Sequence, residues 1–154
     1  MSGRMRKVYK VRNAIENKTE RKVSVMLESL NNANQLILVV DDDPMNLRMA
    51  EFILEREGYI VCKVESGMEC LNYLKDNRPD LILLDIEMPV MNGIKTLEII
   101  KENPELAEIP VMFLTAAADV GTVVEAGNLG VVDYIKKPFL PEELTKRVKN
   151  ALGA

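Results

Sequence analysis

Histidine is absent from this 154-residue sequence. With it go imidazole acid–base chemistry, Ser-His-Asp and Cys-His nucleophile systems, and His-ligated metals. Any chemistry must rest on carboxylates, hydroxyls, lysine and a hard, oxygen-loving cation. Cysteine is scarce. Cys62 and Cys70 are too few and too irregularly spaced for a disulfide framework or a zinc knuckle, and both are expected as reduced core or helix residues. No stretch approaches the ~18–20 consecutive apolar residues of a membrane span. The N-terminus opens basic and polar, with no apolar run and cleavage site behind it, so no secretory signal is read and a cytoplasmic location is expected.

What is present suits one soluble domain with an extension: 47% of residues are apolar and 29% charged. The net charge of −4 hides two unequal parts. Residues 1–34 carry eight Lys/Arg and three Glu, a net +5, whereas residues 35–154 carry twelve Lys/Arg and 21 Asp/Glu, a net −9. The break falls in the polar run Asn31-Asn32-Ala33-Asn34-Gln35, which suits a helix end or linker. The division expected is a basic helical extension over 1–34 and a folded domain over 35–154. Within the extension, Val8, Val11, Ile15, Thr19, Val23, Met26, Leu30 and Ala33 recur at spacings of three and four. That is one stripe on a helix of about 26 residues. A dimerising or partner-binding helix is one reading, with a homodimer through residues 8–33 among its forms. A poorly ordered tail with accidental periodicity is another. Nucleic-acid or membrane binding by the basic face is disfavoured, because Tyr9 is its only aromatic residue. Met26 is an alternative start.

From residue 36 onward apolar runs alternate with helical spacing. Strands are expected at 36–40, 59–64, 81–84, 110–114 and 131–135. Helices are expected at 45–57, 66–77 (Ser66 and Glu69 as a capping box), 93–102 and 119–129, and from Pro141 onward. Strands apolar on both faces belong to a covered sheet. Five such β–α units predict a doubly wound, five-stranded parallel α/β sandwich, whose functional crevice lies at the carboxyl ends of the strands.

Those ends carry Asp41, Asp42 and Asp43 after the first strand, Asp85 after the third, Thr115 after the fourth and Lys137 after the fifth. An Asp after a strand is often only a helix cap, and a lone Thr or Lys there is mostly structural. Joint occurrence at converging strand ends argues otherwise. Two carboxylates ~5 Å apart at an effective dielectric of ~20 repel by about 3 kcal/mol. A divalent cation such as Mg²⁺ relieves this, and its open positions suit phosphate oxygens. With a Lys and a hydroxyl nearby, the set fits phosphoryl transfer onto an Asp.

The segments VVDDDP at 39–44, LLDIEMPVMNG at 83–93, LTA at 114–116 and YIKKPF at 134–139 carry a resemblance. Residues 36–140 resemble the receiver domain of bacterial two-component response regulators, such as the chemotaxis response regulator. Intervals of 30 residues from Asp85 to Thr115 and 22 from there to Lys137 fit as well. The resemblance implies a flavodoxin-like (βα)5 fold. It implies Asp85 as phosphoacceptor, Asp42 as a direct Mg²⁺ ligand supported by Asp41, and the Glu87 backbone carbonyl completing the metal site. Lys137 would pair with the acidic cluster and the phosphoryl group, Thr115 would bond a phosphoryl oxygen, and Tyr134 would be the aromatic switch. Asp43 falls outside this set and is read as a loop or cap residue. A cis Lys137–Pro138 bond is typical of the family.

The implied protein is a phosphorylation-controlled signalling switch. It takes its phosphoryl group from a phosphohistidine on a sensor histidine kinase or a histidine phosphotransfer protein. It is no enzyme beyond catalysing its own phosphorylation and dephosphorylation. Its output surface toward a downstream protein target would be the fourth helix, fifth strand and fifth helix, about 119–151. The alternative is a constitutive scaffold or adaptor acting through the N-terminal helix. Haloacid-dehalogenase-like phosphatases place the nucleophile strand first and the acidic pair last, the reverse of this order. Three aspartates after the first strand would repel the phosphate of a flavodoxin-like FMN site.

Three departures stand out. Gly121 and Gly127 in the fourth helix predict a frayed or mobile helix, each costing ~1 kcal/mol against Ala. The resemblance implies that Glu87 and Ala117 border the path of hydrolytic water, where Ala117 would leave the path open and Glu87 would repel hydroxide. The chain ends at Ala154, just after the last helix, so no C-terminal DNA-binding domain is expected.

Overall fold

The structure is a computed structural model that describes residues 17–27, 30, 32–116 and 120–153. Five strands form one parallel sheet: β1 (Leu36–Val40), β2 (Ile60–Val64), β3 (Leu81–Asp85), β4 (Val111–Thr115) and β5 (Asp133–Lys136). Their order is β2-β1-β3-β4-β5. Helices alternate with them: α1 (Pro44–Arg56), α2 (Gly67–Tyr73), α3 (Gly93–Glu102), α4 (Val120–Asn128) and α5 (Pro141–Ala151). The doubly wound five-stranded parallel sheet predicted from the alternation is the one observed.

The strand period of two decides what each helix covers. Ile37, Val39, Leu81, Leu83, Met112, Leu114 and Ile135 face one side, where α1 sets Leu47, Ala50, Ile53 and Leu54, and α5 sets Leu144 and Val148. The alternate residues Leu38, Val40, Ile82, Leu84, Val111 and Phe113 face the other side, against Cys70, Ile94, Leu97, Ile100 and Ala126 from α2, α3 and α4. β3 and β4 are buried at every residue. Both cysteines are free thiols; burial pushes the Cys70 thiol up to about 12, so it stays protonated as a core residue.

Several boundaries shift from the sequence reading for local reasons. α2 ends at Tyr73 rather than near Asn77, because the chain tightens into a turn in which Lys75 N donates to the Asn72 carbonyl. β5 starts at Asp133 rather than Val131. Gly130 takes a positive φ of 86°, and Val131 N donates back to the Ala126 carbonyl, so that residue still closes α4. Ser66 caps α2 through Glu69 N at 3.1 Å, but the Glu69 carboxylate returns to Glu65 N at 2.6 Å, one residue earlier than a capping box requires.

Residues 17–27 are helical and exposed throughout. Val23, Met26, Leu27 and Leu30 form an apolar stripe that is exposed among the described residues. Asn32 ties this segment to the domain, donating from Nδ2 to the Glu57 carbonyl at 2.8 Å. The expected helical positions 8–16, together with 28, 29 and 31, lie outside the described residues, as do Ala117 and Asp119. No described helix is long and apolar enough to cross a membrane.

Candidate functional site

Parallel strands deliver their carboxyl ends to one edge, and the order β2-β1-β3-β4-β5 makes β1, β3 and β4 neighbours. β3 continues into Asp85, and β4 ends at Thr115, which pairs with Lys136 of β5. Asp41 follows β1 and is held in register by its N–H bond to the Val64 carbonyl. Asp41, Asp85 and Thr115 are all buried. The Asp43 carboxylate takes no part in this cluster: its Oδ1 accepts from Met45 N at 2.9 Å and caps α1. The cap reading of that residue is correct.

Asp41, Asp42 and Asp85 each offer a carboxylate oxygen within 4.8 Å of the others. Lys137 reaches in across the edge. Its Nζ lies 2.6 Å from Asp41 Oδ2 and 3.2 Å from Asp85 Oδ1. The remaining Asp41 oxygen, Oδ1, accepts from Asp43 N at 2.9 Å, and Asp85 Oδ1 also accepts from Glu87 N at 3.3 Å. One ammonium thus faces three carboxylates, leaving the cluster short of positive charge. Burial, reinforced by the nearby Asp41 charge, pushes the Asp85 carboxyl up to about 6 despite the opposing pull of Lys137. Burial disfavours the Lys137 ammonium, but its hydrogen bond to Asp41 and the charges of Asp85 and Asp41 outweigh that and raise it above its ordinary value. An all-oxygen, carboxylate-rich set with a charge deficit is the donor chemistry that Mg²⁺ or a similar hard cation fits.

The loop after Asp85 is closed by Gly93 N donating to the Ile86 carbonyl at 2.8 Å. A Cβ on Gly93 would meet the Asp85 carbonyl oxygen and lie 2.8 Å from Ile86 Cα. Only glycine lets α3 start this close to the strand that carries Asp85. Lys137–Pro138 is cis, as the family resemblance implied.

Two features escape sequence reasoning. The Glu87 carboxylate turns toward Thr115, whose Oγ1 donates to Glu87 Oε1 at 3.5 Å. No motif encodes that side-chain direction. A cavity of about 260 Å³ lies behind Thr115, lined by Phe113, Ala126, Gly127, Val132 and Tyr134. Tyr134 is 39% exposed and stands at its edge rather than inside it.

The family model for the response regulator receiver domain matches residues 37–149. The chain belongs to the response regulator receiver domain family. This receiver is similar to the DNA-binding response regulator MtrA of Mycolicibacterium smegmatis, 39% identical over 118 residues, which cover 77% of this chain and 50% of that protein. The chain therefore spans about half the length of the MtrA relatives it matches. It is also similar to the polar-differentiation response regulator DivK of Brucella anthropi, 32% identical over 117 residues, covering 76% of this chain and 95% of DivK. Among solved structures, the signal receiver domain of a signal transduction histidine kinase from Syntrophus aciditrophicus superposes with a TM-score of 0.72 at 37% identity, covering 77% and 90% of the two chains. Family membership makes the chain part of a phosphorylation-controlled signalling switch.

Proposed function

We propose that Asp85 of this receiver accepts a phosphoryl group from a phosphohistidine on a sensor histidine kinase or histidine phosphotransfer protein. The observation that carries the reading is a buried Asp85 at the end of β3, sharing Lys137 with Asp41. An ionised Asp85 oxygen attacks phosphorus while the P–N bond breaks. The bonding pair returns to the imidazole of the donor, and an acyl phosphate remains on Asp85. Asp41, Asp42, Asp85 and the Glu87 carbonyl would hold Mg²⁺, which supplies neutralisation of phosphoryl oxygen charge when bound. Lys137 neutralises charge from the opposite side. Because it already bridges Asp41 and Asp85, it needs little rearrangement to follow the phosphoryl group.

The Thr115 hydroxyl then leaves Glu87 for a phosphoryl oxygen. Its contact at 3.5 Å is long for a hydroxyl and is easily given up. The loop after β4 follows Thr115, and Tyr134 turns into the cavity of about 260 Å³ beside it. Moving an active state from about 1% to 99% requires ~5.5 kcal/mol of differential interaction. New charge-assisted bonds at Thr115 and Lys137 are the source. The face formed by α4, β5 and α5 carries the change to a downstream protein. Residues 35–154 form the receiver and residues 1–34 a separate basic arm. A cytoplasmic location belongs to the same reading.

Acetyl phosphate with Mg²⁺ tests the central step. Intact mass is expected to rise by one labile phosphoryl group, and Asp85→Asn is expected to remain unlabelled. Labelling of the variant to the same extent would overturn the assignment. The exposed stripe of Val23, Met26, Leu27 and Leu30 favours a second reading, in which the arm is a constitutive partner- or self-binding helix. Binding that ignores Asp85→Asn would select it.

A further inference from the structure

Helix α1 is apolar on two sides. Leu47, Ala50, Ile53 and Leu54 cover the sheet. Met45, Met49 and Phe52 recur at spacings of four and three on the side turned to solvent, with Met45 59% and Phe52 63% exposed. Together with Pro141 and Thr145 of α5 they line an open groove of about 800 Å³. An exposed apolar residue by itself needs no explanation, but a row of three along one groove does. Methionine and phenylalanine in such a groove suit the apolar side of a helix.

The N-terminal arm carries a matching row. Val23, Met26, Leu27 and Leu30 are exposed among the described residues. Val23 to Leu30 and Met45 to Phe52 each advance seven residues, about 10 Å along either helix. The arm also starts at the groove. Asn32 donates to the carbonyl of Glu57, and Glu57 lines the groove. Residues 30 and 32 are still helical, Gln35 N donates to the Asn32 carbonyl at 3.0 Å, and β1 opens at Leu36. So short a bonded connection leaves little slack for the arm to fold back over its own α1, and in the single chain both surfaces are left to solvent. A second copy supplies both partners at once, by reciprocal exchange of arms about a twofold axis.

Charge agrees with this occupant. Residues 35–154 are acidic overall, yet four of their twelve Lys/Arg (Arg48, Arg56, Lys146 and Lys149) line the groove, together with Glu57 and Glu142. At 3.6 residues per turn, Lys18 and Arg21 of the arm project away from its apolar stripe, while Glu20 and Lys22 flank the stripe on opposite sides. The entering side thus offers one charge of each sign to a rim of both signs, and the basic side stays in water.

We infer that the groove between α1 and α5 takes the arm helix of a second copy of this chain, through Val23, Met26, Leu27 and Leu30. The inference rests on the second reading of the arm, whose partner it names, and leaves the assignment of Asp85 untouched. The twofold doubles each contact, which is how a short helix reaches the ~1,200–2,000 Å² of a stable interface.

Light scattering on the full chain at about 100 μM is expected to give twice the 17.3 kDa of one chain. Met26→Glu and Phe52→Glu each put a charge into the contact at a residue the single chain exposes. Both are expected to keep the circular dichroism of the unaltered protein and to fall to the mass of one chain. Met49→Glu serves as the groove variant should Phe52→Glu lose its helical spectrum. A single-chain mass for the unaltered protein would overturn the proposal. A Phe52→Glu dimer would overturn it in favour of pairing between arms, which keeps the self-binding reading of the arm. A Met26→Glu dimer would overturn both, leaving α1 to pair without the arm. Asp85→Asn is expected to stay dimeric while losing its label from acetyl phosphate, so failure of the phosphoacceptor reading shows in labelling and failure of the dimer in mass.

Discussion

The carboxyl edge of the sheet is built in two manners. Around β1 and β3 it is tightly determined: Asp41 and Asp85 are buried, Lys137 binds both, and Gly93 brings α3 directly against the strand. Around β4 and β5 it is loosely filled. Among the described side chains α4 buries only Ala126, whereas α3 buries Ile94, Thr96, Leu97 and Ile100. A cavity of about 260 Å³ lies under α4. The difference teaches how one small domain holds both chemistry and response. Reacting groups need fixed geometry. An element that must change position has to come from the less stable end of the structure.

Four measurements break or sharpen this contrast. Lys137→Met has the largest expected effect. It strips the buried Asp41 and Asp85 of their shared cation and should cost about 3–5 kcal/mol by urea unfolding in EDTA. A loss below 1 kcal/mol would mean that the acidic side is not tightly determined.

Asp85→Asn should act in the opposite direction. The folded-state pKa of Asp85 is raised from 3.8 to about 6, so the folded chain holds this proton more tightly than the unfolded one. Its contribution is therefore full below pH 3.8 and is lost as pH rises through about 6. At pH 7 the ionised carboxylate costs about 3 kcal/mol, and Asn should return much of it. Melting in EDTA should show a gain at pH 7 that shrinks by pH 5. A gain independent of pH would exclude the charge as its cause.

Gly127→Ala probes the loose side. A Cβ there meets nothing within 4 Å, so the helix should gain about 1 kcal/mol. The smallest effect is in the amides of α4, which should exchange with deuterium faster than those of α3 and slow in the Gly127→Ala chain. Equal protection of the two helices in the unaltered protein would remove the contrast altogether.

Most of the architecture was legible because its signals are local. Continuous apolar runs at 36–40 and 81–84 read as strands covered on both faces, and the helical spacing from Met45 placed α1 within one residue of its observed start at Pro44. β5 was misplaced by two residues. Val131 and Val132 read as strand by composition, yet Val131 is still spent on closing α4. The site was legible as a set, since strand ends converge in any parallel sheet. Glu87 was read through its backbone, and the reach of its side chain toward Thr115 depends on a loop whose path no periodicity records. Val90 sits within a motif that was read only for its flanking residues.

The sequence by itself determined which residues stand at the strand ends and which sides of the strands and helices are apolar, because side-chain period and charge are properties of neighbours in the chain. Only the tertiary structure decided that Lys137 meets Asp41 across 96 residues, that burial pushes the Asp85 carboxyl up to about 6, and that Val90 takes a positive φ. Those depend on strand order, burial and loop closure, and each arises only when distant segments exclude water together.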